Sequence, residues 1–298
     1  MKVLILGYGS IGKKHSKILS KNKKVKQIYI FSNQKIPKKF FPCKSYDDIL
    51  SINPDYIVIA SITTNHYKHL KFINQNFINK IILVEKPLYE KSYSLKIKNN
   101  IFVGYNLRFH PVVNKVKSLI NNKSIYAANL ECFSNLMKWR TGRHYSQTSS
   151  AKKSCGGGVI LDLSHEFDYA NWLFGKLKIV NYTFNKVSKL KINTEDFCNL
   201  TTKTKNKILI NISLNYFSLI NSRKIIIFGN KFTLEADLLK NTIILVTPNK
   251  YRKILFPKFD ISKTYIKMHE AILNKNFKNL CTYDEGFNLT KFIENIKK

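Results

Sequence analysis

Residues 2–12 read Lys-Val-Leu-Ile-Leu-Gly-Tyr-Gly-Ser-Ile-Gly, an apolar run that leads directly into a Gly-x-Gly-x-x-Gly motif. The apolar run predicts a strand over Lys2–Leu6, and the residues after the motif predict a helix over Ser10–Lys21. In dinucleotide-binding proteins this glycine motif lies between a strand and a helix. Its position here therefore indicates a dinucleotide-binding turn more strongly than the motif alone would.

The three glycines of this turn have separate expected roles. Gly7 permits the tight turn, Gly9 lets a pyrophosphate approach the backbone, and Gly12 permits close packing of helix on strand. The helix start, with Ser10 and Ile11, supplies N–H donors and partial positive charge to the phosphates. Only 11 of the 298 residues are glycine, so this concentration is not expected by chance.

Strand and helix signals alternate through the first third of the chain, as in a parallel sheet with helical crossovers. Beyond the first strand and helix, strands are predicted over 27–31, 55–60, 80–85 and 101–105, and helices over 66–76 and 111–120. We therefore predict a doubly wound, dinucleotide-binding Rossmann domain over residues 1–121.

From Ser124 onward, long runs rich in β-branched and aromatic residues follow one another with few helices between them. These runs predict strands over 125–133, 179–187, 208–217, 224–228, 232–238 and 241–246, with helices over 161–174, 261–274 and 284–297. Successive strands without interposed helices indicate an open, mainly antiparallel sheet. We expect residues 122–298 to form an α/β domain with this large sheet.

The formal net charge of +33 by itself suggests a nucleic-acid partner. Only five of the 51 basic residues are arginine, however, and the lysines are spread through every segment. Proteins that read bases or clamp phosphates favour the bidentate arginine fork, whereas Lys, Asn and Ile together are expected to be abundant in an AT-rich coding sequence. We expect a solvated charged surface and no nucleic-acid partner.

Five widely spaced cysteines without a Cys-x-x-Cys pair indicate free thiols in a reducing compartment. No apolar stretch reaches the roughly 18 residues that cross a membrane, and the N-terminal run lacks the cleavage site of a signal peptide. We expect a cytoplasmic protein that does not bind membranes.

The end of the second predicted strand bears on the choice of cofactor. An acidic residue there binds the ribose 2′-hydroxyl of NAD, but this chain has Ser32 and Asn33. A small polar residue followed by Lys35, Lys38 and Lys39 tolerates a 2′-phosphate, which modestly favours NADP over NAD. The same lysines also fit the general lysine excess, so both cofactors stay open.

Lys86 is the first candidate for catalysis. The segment Val84-Glu85-Lys86-Pro87 ends a predicted parallel strand, and ligands of such sheets bind beyond the carboxyl ends of the strands. A lysine at this place can polarise a substrate hydroxyl or carbonyl oxygen. The alternative is one more surface lysine.

A second candidate segment follows the glycines at 156–158, which lead into a helix with Asp162, His165, Glu166 and Asp168. Asp162 and His165 are three residues apart and are expected to share a helix face. A histidine beside carboxylates suits acid–base work, and a buried structural histidine is the alternative. No metal is expected, because the His-x-x-x-His spacing of a metal-binding helix is absent.

Five motifs in this order resemble the Gfo/Idh/MocA oxidoreductases. They are GYGSIG at 7–12, TTNHYKH at 63–69, EKP at 85–87, GYNLRFHP at 104–111 and GGGVILDLSHEFD at 156–168. The resemblance extends over essentially the whole chain. It implies a Rossmann domain followed by an open-sheet α/β domain, with nicotinamide-dependent chemistry.

The resemblance also implies roles for single residues. Lys86 contacts the reacting oxygen and the nicotinamide, His165 serves as acid and base, and Asp162 orients the substrate or His165. The expected cofactor-binding residues are Gly7, Gly9, Ser10, Ile11, Gly12, Ser32, Asn33, Ser61, Thr63, Asn65, His66, Glu85, Lys86 and Arg108. The expected substrate-binding residues are Trp139, Arg143, Tyr145, Asp162 and His165, and the first three equally suit structural loop anchors.

The implied function is NAD(P)-dependent hydride transfer at a secondary alcohol or ketone of a sugar, a nucleotide sugar or a cyclitol, in a homodimer or homotetramer. Two rivals stay open: a redox-neutral, NAD-dependent enzyme of the glycosidase type, and a non-catalytic regulator that senses NADP. The spacing of Asp162 and His165 is one residue shorter than the family's usual Asp-x-x-x-His, which keeps the second rival in view.

Overall fold

The computed structural model describes residues 1–140 and 142–297, and these residues form fifteen strands and eight α-helices. The strands are β1 (Lys2–Leu6), β2 (Gln27–Phe31), β3 (Phe41–Cys43), β4 (Tyr56–Ile59), β5 (Ile81–Val84), β6 (Asn100–Val103), β7 (Ile125–Asn135), β8 (Leu177–Asn185), β9 (Phe197–Thr204), β10 (Leu209–Asn215), β11 (Phe217–Gly229), β12 (Phe232–Asp237), β13 (Thr242–Thr247), β14 (Lys250–Leu255) and β15 (Cys281–Thr282). The helices are α1 (Ser10–Leu19), α2 (Tyr46–Ile52), α3 (His66–Asn76), α4 (Pro111–Ile120), α5 (Val159–Asp162), α6 (His165–Phe174), α7 (Ser262–Leu273) and α8 (Tyr283–Ile296). No helix in this part of the chain has the length and apolar character needed to span a membrane.

The chain forms two compact units. The first contains residues 1–106 and 265–295, and the second contains residues 107–264 and the end of the chain from Ile296. The predicted division at residue 121, between a cofactor-binding and a substrate-binding domain, stays a prediction. The two compact units by themselves do not show which ligand each segment binds.

The first unit contains a seven-stranded sheet in the order β15-β6-β5-β4-β1-β2-β3. Strands β1 to β6 are parallel, and β15 pairs with β6 antiparallel. The order 3-2-1-4-5-6 is that of dinucleotide-binding sheets, whose ligands bind beyond the carboxyl ends of the strands where the order reverses. The predicted doubly wound parallel sheet is confirmed.

The centre of this sheet is apolar on both faces. The four residues Val3–Leu6 and the four residues Tyr56–Ile59 are all 0% exposed. A strand that is covered on both faces has a continuous apolar run in its sequence, so β1 and β4 can be predicted from the sequence.

The second unit contains an eight-stranded sheet in the order β14-β13-β12-β11-β7-β10-β9-β8. Every neighbouring pair is antiparallel except β7 and β10, which confirms the predicted large, mainly antiparallel sheet. On β10, Ile210 and Ile212 are buried, whereas Asn211 on the other face bonds to Thr201 and Asn129 of the strands on either side. The sheet therefore has one apolar face and one polar face.

Two predicted elements each combine two separate elements of the structure. The strand predicted over 208–217 is the strand Leu209–Asn215 and the beginning of β11, a separate strand that continues to Gly229. The helix predicted over 161–174 is two helices, because the backbone leaves helical geometry at Leu163, where φ is −97° and ψ is 27°. The break separates Asp162, at the end of α5, from His165, at the start of α6.

Neighbouring residues of β11 offer a matched test of buried and exposed charge. Arg223 Nε lies 2.7 Å from Oε1 of the buried Glu166, whereas Lys224, on the opposite face, lies 3.2 Å from Oε1 of the exposed Glu235. Arg223→Met leaves the Glu166 carboxylate buried without its cation, so we expect the free energy of unfolding to fall by about 3–5 kcal/mol. Lys224→Met is expected to lower it by less than about 1 kcal/mol. Urea denaturation measures both changes, and equal losses would contradict this assignment.

Candidate functional site

Five residues stand side by side at the carboxyl edge of the parallel sheet. The last residues of β1, β2, β4, β5 and β6 are in register. The residues that follow these strands are Gly7, Ser32, Ala60, Glu85 and Gly104. Backbone hydrogen bonds of 2.8–2.9 Å continue the ladder from the strand ends into this row. The register therefore brings the glycine turn and the Glu85-Lys86 segment to the same edge.

The glycines of the first turn differ in what surrounds them. Gly7 has φ +100°, and a Cβ there would lie 2.6 Å from the backbone nitrogen of Ser61. A Cβ on Gly12 would overlap the carbonyl oxygen of Gly7. At Gly9, by contrast, no atom lies within 4 Å of the Cβ position. Gly7 and Gly12 are thus required by packing, and Gly9 leaves open space beside the helix start.

The start of α1 is suited to an anion. Gly9 is the N-cap residue, no side chain caps the helix, and its first turn contains no acidic residue. The N–H groups of the first turn, with Ser10 and Ile11, have no acceptor within the helix and carry its positive dipole end. With the open space at Gly9, these residues fit the pyrophosphate of a dinucleotide.

The end of β2 carries no negative side chain. Ser32 Oγ accepts a hydrogen bond from the backbone N–H of Gln34 at 3.2 Å. Asn33 is exposed, as are Lys35, Lys38 and Lys39. The segment therefore offers a neutral hydroxyl followed by exposed lysine side chains.

His66 joins the loops that follow β4 and β5. The chain passes from Ser61 through the 3₁₀ turn Thr63–Asn65 to His66, the first residue of α3. The imidazole Nε2 lies 3.1 Å from the carbonyl oxygen of Ser61, and Nδ1 lies 3.0 Å from that of Pro87. Burial lowers the pKa of His66. The imidazole thus has a structural role, and contact of Ser61, Thr63, Asn65 or His66 with a cofactor stays a prediction.

Glu85 is buried and divides its two oxygens between two partners. Oε1 lies 2.9 Å from Nε2 of His15, and Oε2 accepts the backbone N–H of Lys86 at 3.3 Å. A Cβ on Gly104 would lie 2.7 Å from Oε1, so only glycine leaves room for this carboxylate. Lys86 itself is half-buried and precedes a cis peptide bond to Pro87. Sequence reasoning missed His15, which lies 70 residues from Glu85.

In the second unit, Tyr216 connects two predicted substrate residues. Its buried hydroxyl donates to Asp162 Oδ2 at 2.6 Å, and its ring meets that of Trp139 edge to face, with centroids 5.1 Å apart. Burial and the neighbouring Asp162 carboxylate raise the pKa of Tyr216 well above 10. Sequence reasoning missed Tyr216, because no motif marks a residue 54 positions after its partner.

The expected shared helix face of Asp162 and His165 is wrong, because the helix breaks between them. His165 is the first residue of α6 and is 9% exposed. Glu166 pairs with Arg223, and its Oε1 also lies 3.1 Å from the hydroxyl of Tyr169. The carboxylates near His165 in sequence therefore meet partners on other elements.

Arg108 lies in a 3₁₀ turn immediately before α4. Its guanidinium is buried, with Nη2 2.7 Å from Oδ1 of Asp168 and its carbon 5.6 Å from the ring centroid of Trp172. These contacts give Arg108 a place in the core of the second unit. Its expected contact with the cofactor stays a prediction.

Arg143 and Tyr145 have local partners within their unit. Arg143 Nη2 donates to the carbonyl oxygen of Gln147 at 2.6 Å, and the hydroxyl of Tyr145 accepts the backbone N–H of Lys191 at 3.1 Å. Thr141 of the same loop lies outside the described residues. The contacts support the loop-anchor interpretation, and substrate binding by Arg143 and Tyr145 stays a prediction.

Two glycines of the triplet at 156–158, Gly157 and Gly158, have no room for a side chain. A Cβ on Gly158, where φ is +117°, would overlap the carboxylate of Glu195, and a Cβ on Gly157 would overlap the carbonyl oxygen of Ser149. Across residues 1–140 and 142–297, no three His, Cys, Asp or Glu side chains form a group that could hold a metal ion.

Two models of one oxidoreductase family match most of the chain. The model of its NAD-binding Rossmann fold matches residues 1–97, and the model of its C-terminal α/β domain matches residues 135–298. The uncharacterized oxidoreductase YrbE of Bacillus subtilis is 25% identical, over 95% of this chain and 89% of YrbE.

Solved structures share the fold over the whole chain. Levoglucosan dehydrogenase in complex with NADH has a TM-score of 0.85 at 15% identity and covers 100% of this chain and 96% of its own. The WlbA dehydrogenase of Bordetella pertussis, in complex with NADH and UDP-GlcNAcA, has a TM-score of 0.77 at 18% identity. The match covers 100% of this chain and 95% of the WlbA chain.

The two kinds of glycine in the first turn are separable by mutation. Gly9→Ala adds a methyl group where space is open, so we expect an unchanged melting temperature and a loss of NAD(P)H affinity of about tenfold or more. Gly12→Ala forces a methyl group onto the carbonyl of Gly7, and we expect the free energy of unfolding to fall by about 1–3 kcal/mol. Thermal unfolding and fluorescence titration measure these effects. A destabilised Gly9→Ala protein with normal affinity would refute the assignment.

Tyr216→Phe removes one hydroxyl from a fully buried ring. Because the lost bond has a charged acceptor, Asp162, we expect the free energy of unfolding to fall by about 1.5–3 kcal/mol. Tyr169→Phe is the matched control. Its hydroxyl shares Glu166 with Arg223, so a smaller loss of about 0.5–1.5 kcal/mol is expected. Urea denaturation compares the two variants, and equal losses would argue against a strong Tyr216–Asp162 bond.

Proposed function

Because the chain belongs to the Gfo/Idh/MocA family of oxidoreductases, we propose that it transfers a hydride between a nicotinamide cofactor and a secondary alcohol or ketone of a sugar, a nucleotide sugar or a cyclitol. The observation that carries the proposal is the common edge of the parallel sheet, with the open helix start at Gly9 and the Glu85-Lys86 segment. The names of levoglucosan dehydrogenase and of the UDP-GlcNAcA complex of WlbA support a sugar-like substrate.

The cofactor phosphates are proposed to bind at Gly7, Gly9 and the first turn of α1. The bound nicotinamide supplies a ring carbon that accepts or returns a hydride. In the oxidation direction, His165 takes the proton of the substrate hydroxyl while the C–H bond breaks and the C=O bond forms. The Lys86 ammonium stabilises the negative charge that develops on this oxygen. Reduction runs the same proton transfer in reverse.

Asp162 is proposed to orient the substrate. Its carboxylate is half-buried and is held by the hydroxyl of Tyr216. The Trp139 ring lies against the same tyrosine and offers an apolar face suited to a sugar ring. This arrangement supports Asp162 and Trp139 as substrate residues more directly than Arg143 or Tyr145.

We further propose NADP as the preferred cofactor. The uncharged Ser32 and the exposed lysines Lys35, Lys38 and Lys39 support this choice, because a 2′-phosphate meets no carboxylate at this strand end and has cations within reach. A homodimer or homotetramer is also proposed from the family resemblance. The exposed apolar side chains of Leu219 and Ile220 on β11, 79% and 80% exposed, support an interface there.

The decisive experiment is a turnover assay of the purified protein with free sugars, sugar phosphates, nucleotide sugars and cyclitols, each with NAD and with NADP. We expect a change in nicotinamide absorbance, with the higher kcat/KM for NADP. Lys86→Ala and His165→Ala are each expected to lower kcat by about 10²–10⁴-fold with the fold intact. The exposed Lys91 supplies a matched control for Lys86, since Lys91→Ala is expected to keep wild-type turnover.

Four outcomes would overturn parts of this proposal. Near-normal turnover in both Lys86→Ala and His165→Ala refutes their assignment. Substrate conversion without net nicotinamide reduction indicates a redox-neutral enzyme. Tight NADP binding without turnover of any substrate indicates a regulator. A strong kinetic preference for NAD would refute only the cofactor choice.

A further inference from the structure

Four buried side chains of the first unit form one continuous chain of hydrogen bonds. Tyr56 Oη lies 2.9 Å from His269 Nδ1, His269 Nε2 lies 2.7 Å from His15 Nδ1, and His15 Nε2 lies 2.9 Å from Glu85 Oε1. Their exposed fractions are between 0% and 5%. The chain thus runs from strand β4 through helices α7 and α1 to the carboxyl end of β5.

The chemistry of the groups sets the direction of the bond to Glu85 when its carboxyl is ionised. A carboxylate only accepts, so His15 donates to it from Nε2. Burial, and then the neighbouring His15, hold the pKa of His269 well below 6.5, so His269 is a neutral imidazole. A neutral imidazole has one donor and one acceptor nitrogen, so His269 links His15 to Tyr56 by one donated and one accepted hydrogen bond.

The far end of this chain reaches the backbone of Lys86. His15 binds Oε1 of Glu85, and Oε2 accepts the backbone N–H of Lys86 at 3.3 Å. Because Gly104 has no side chain, the carboxylate has room in this position. The ring of His15 is also held edge to face by His269 and Tyr265, with centroids 4.9 and 5.6 Å away. Neither the carboxylate nor the His15 ring can turn without losing a buried hydrogen bond.

We propose that His15 and His269 are positioning residues for the reaction. They hold the Glu85 carboxylate, which in turn fixes the peptide from which the Lys86 side chain extends. The inference rests on the proposed function, in which Lys86 stabilises charge on the substrate oxygen. Loss of the His269 imidazole leaves His15 Nδ1 buried without its partner, and the His15–Glu85 bond weakens as the His15 ring tilts.

His269→Phe keeps an aromatic ring but removes both hydrogen bonds, and we expect kcat to fall by about 10–100-fold with KM values near those of the wild type. His269→Gln retains an N–H donor toward His15 and is expected to recover most of the turnover. Tyr56→Phe removes only the most distant bond and is expected to lower kcat by less than about tenfold. A residue with a merely structural role would change the melting temperature without this graded loss of kcat.

His69→Phe is the matched control. His69 is a buried histidine on α3 of the same unit, and its Nδ1 has no hydrogen-bond partner among the described residues. All variants are assayed well below their melting temperatures. We expect wild-type kcat in His69→Phe, and an equal loss in His69→Phe and His269→Phe would overturn the proposal.

Nuclear magnetic resonance supplies a readout that does not depend on turnover. In the wild-type protein with NADPH at pH 7, nitrogen shifts are expected to show His269 as a neutral imidazole. The Lys86 amide signal is expected to move in His269→Phe and not in His69→Phe. A cationic His269, or an unmoved Lys86 signal, overturns the inference. Absence of wild-type turnover with every substrate instead overturns the proposed function.

Discussion

The common register of the parallel strands is the constraint on which the site in the first unit depends. Because β1, β2, β4, β5 and β6 end level with one another, the residues that follow them crowd together at one edge. Little space is left there: Gly7 has no room for a Cβ beside Ser61, and Glu85 fits only beside Gly104. Open space begins at Gly9, where the helix dipole is also unscreened by a cap. Steric exclusion and an uncapped helix thus define where an anion fits.

Buried charge governs the second unit in the same way. A carboxylate that is partly or fully removed from water needs a cation or a strong donor, and Glu166 and Asp162 each have one such partner outside their own helix. Glu166 meets Arg223 of β11, and Asp162 meets the hydroxyl of Tyr216. One unbroken helix would point these carboxylates in directions set by helical periodicity. The break at Leu163 frees Asp162 from this periodicity, so it meets Tyr216 without sharing a helix face with His165.

Local patterns predict the central elements of the first unit well. The bounds of β1, β2 and α3, and those of α4 in the second unit, agree residue for residue with the prediction, because a buried strand or an apolar helix face leaves a continuous local signal. The prediction omits the strands β3, β9, β14 and β15 and the helix α2. The first is only three residues long, and β14 is a mostly exposed edge strand whose sequence, KYRKIL, is half basic. Such strands form because a neighbouring strand offers backbone hydrogen bonds. Their own residues carry no apolar pattern from which a strand could be predicted.

The sequence by itself determined the family, the NAD-binding Rossmann fold and the C-terminal α/β domain, because these depend on motifs whose residues lie within a few positions of one another. Only the tertiary structure decided which side chains stabilise the candidate site. His15 lies 254 residues from His269, and Tyr216 lies 54 residues from Asp162. A hydrogen bond requires two atoms within about 3 Å in a set direction, and over such separations that distance depends on strand register and helix packing. No local pattern of residues encodes it.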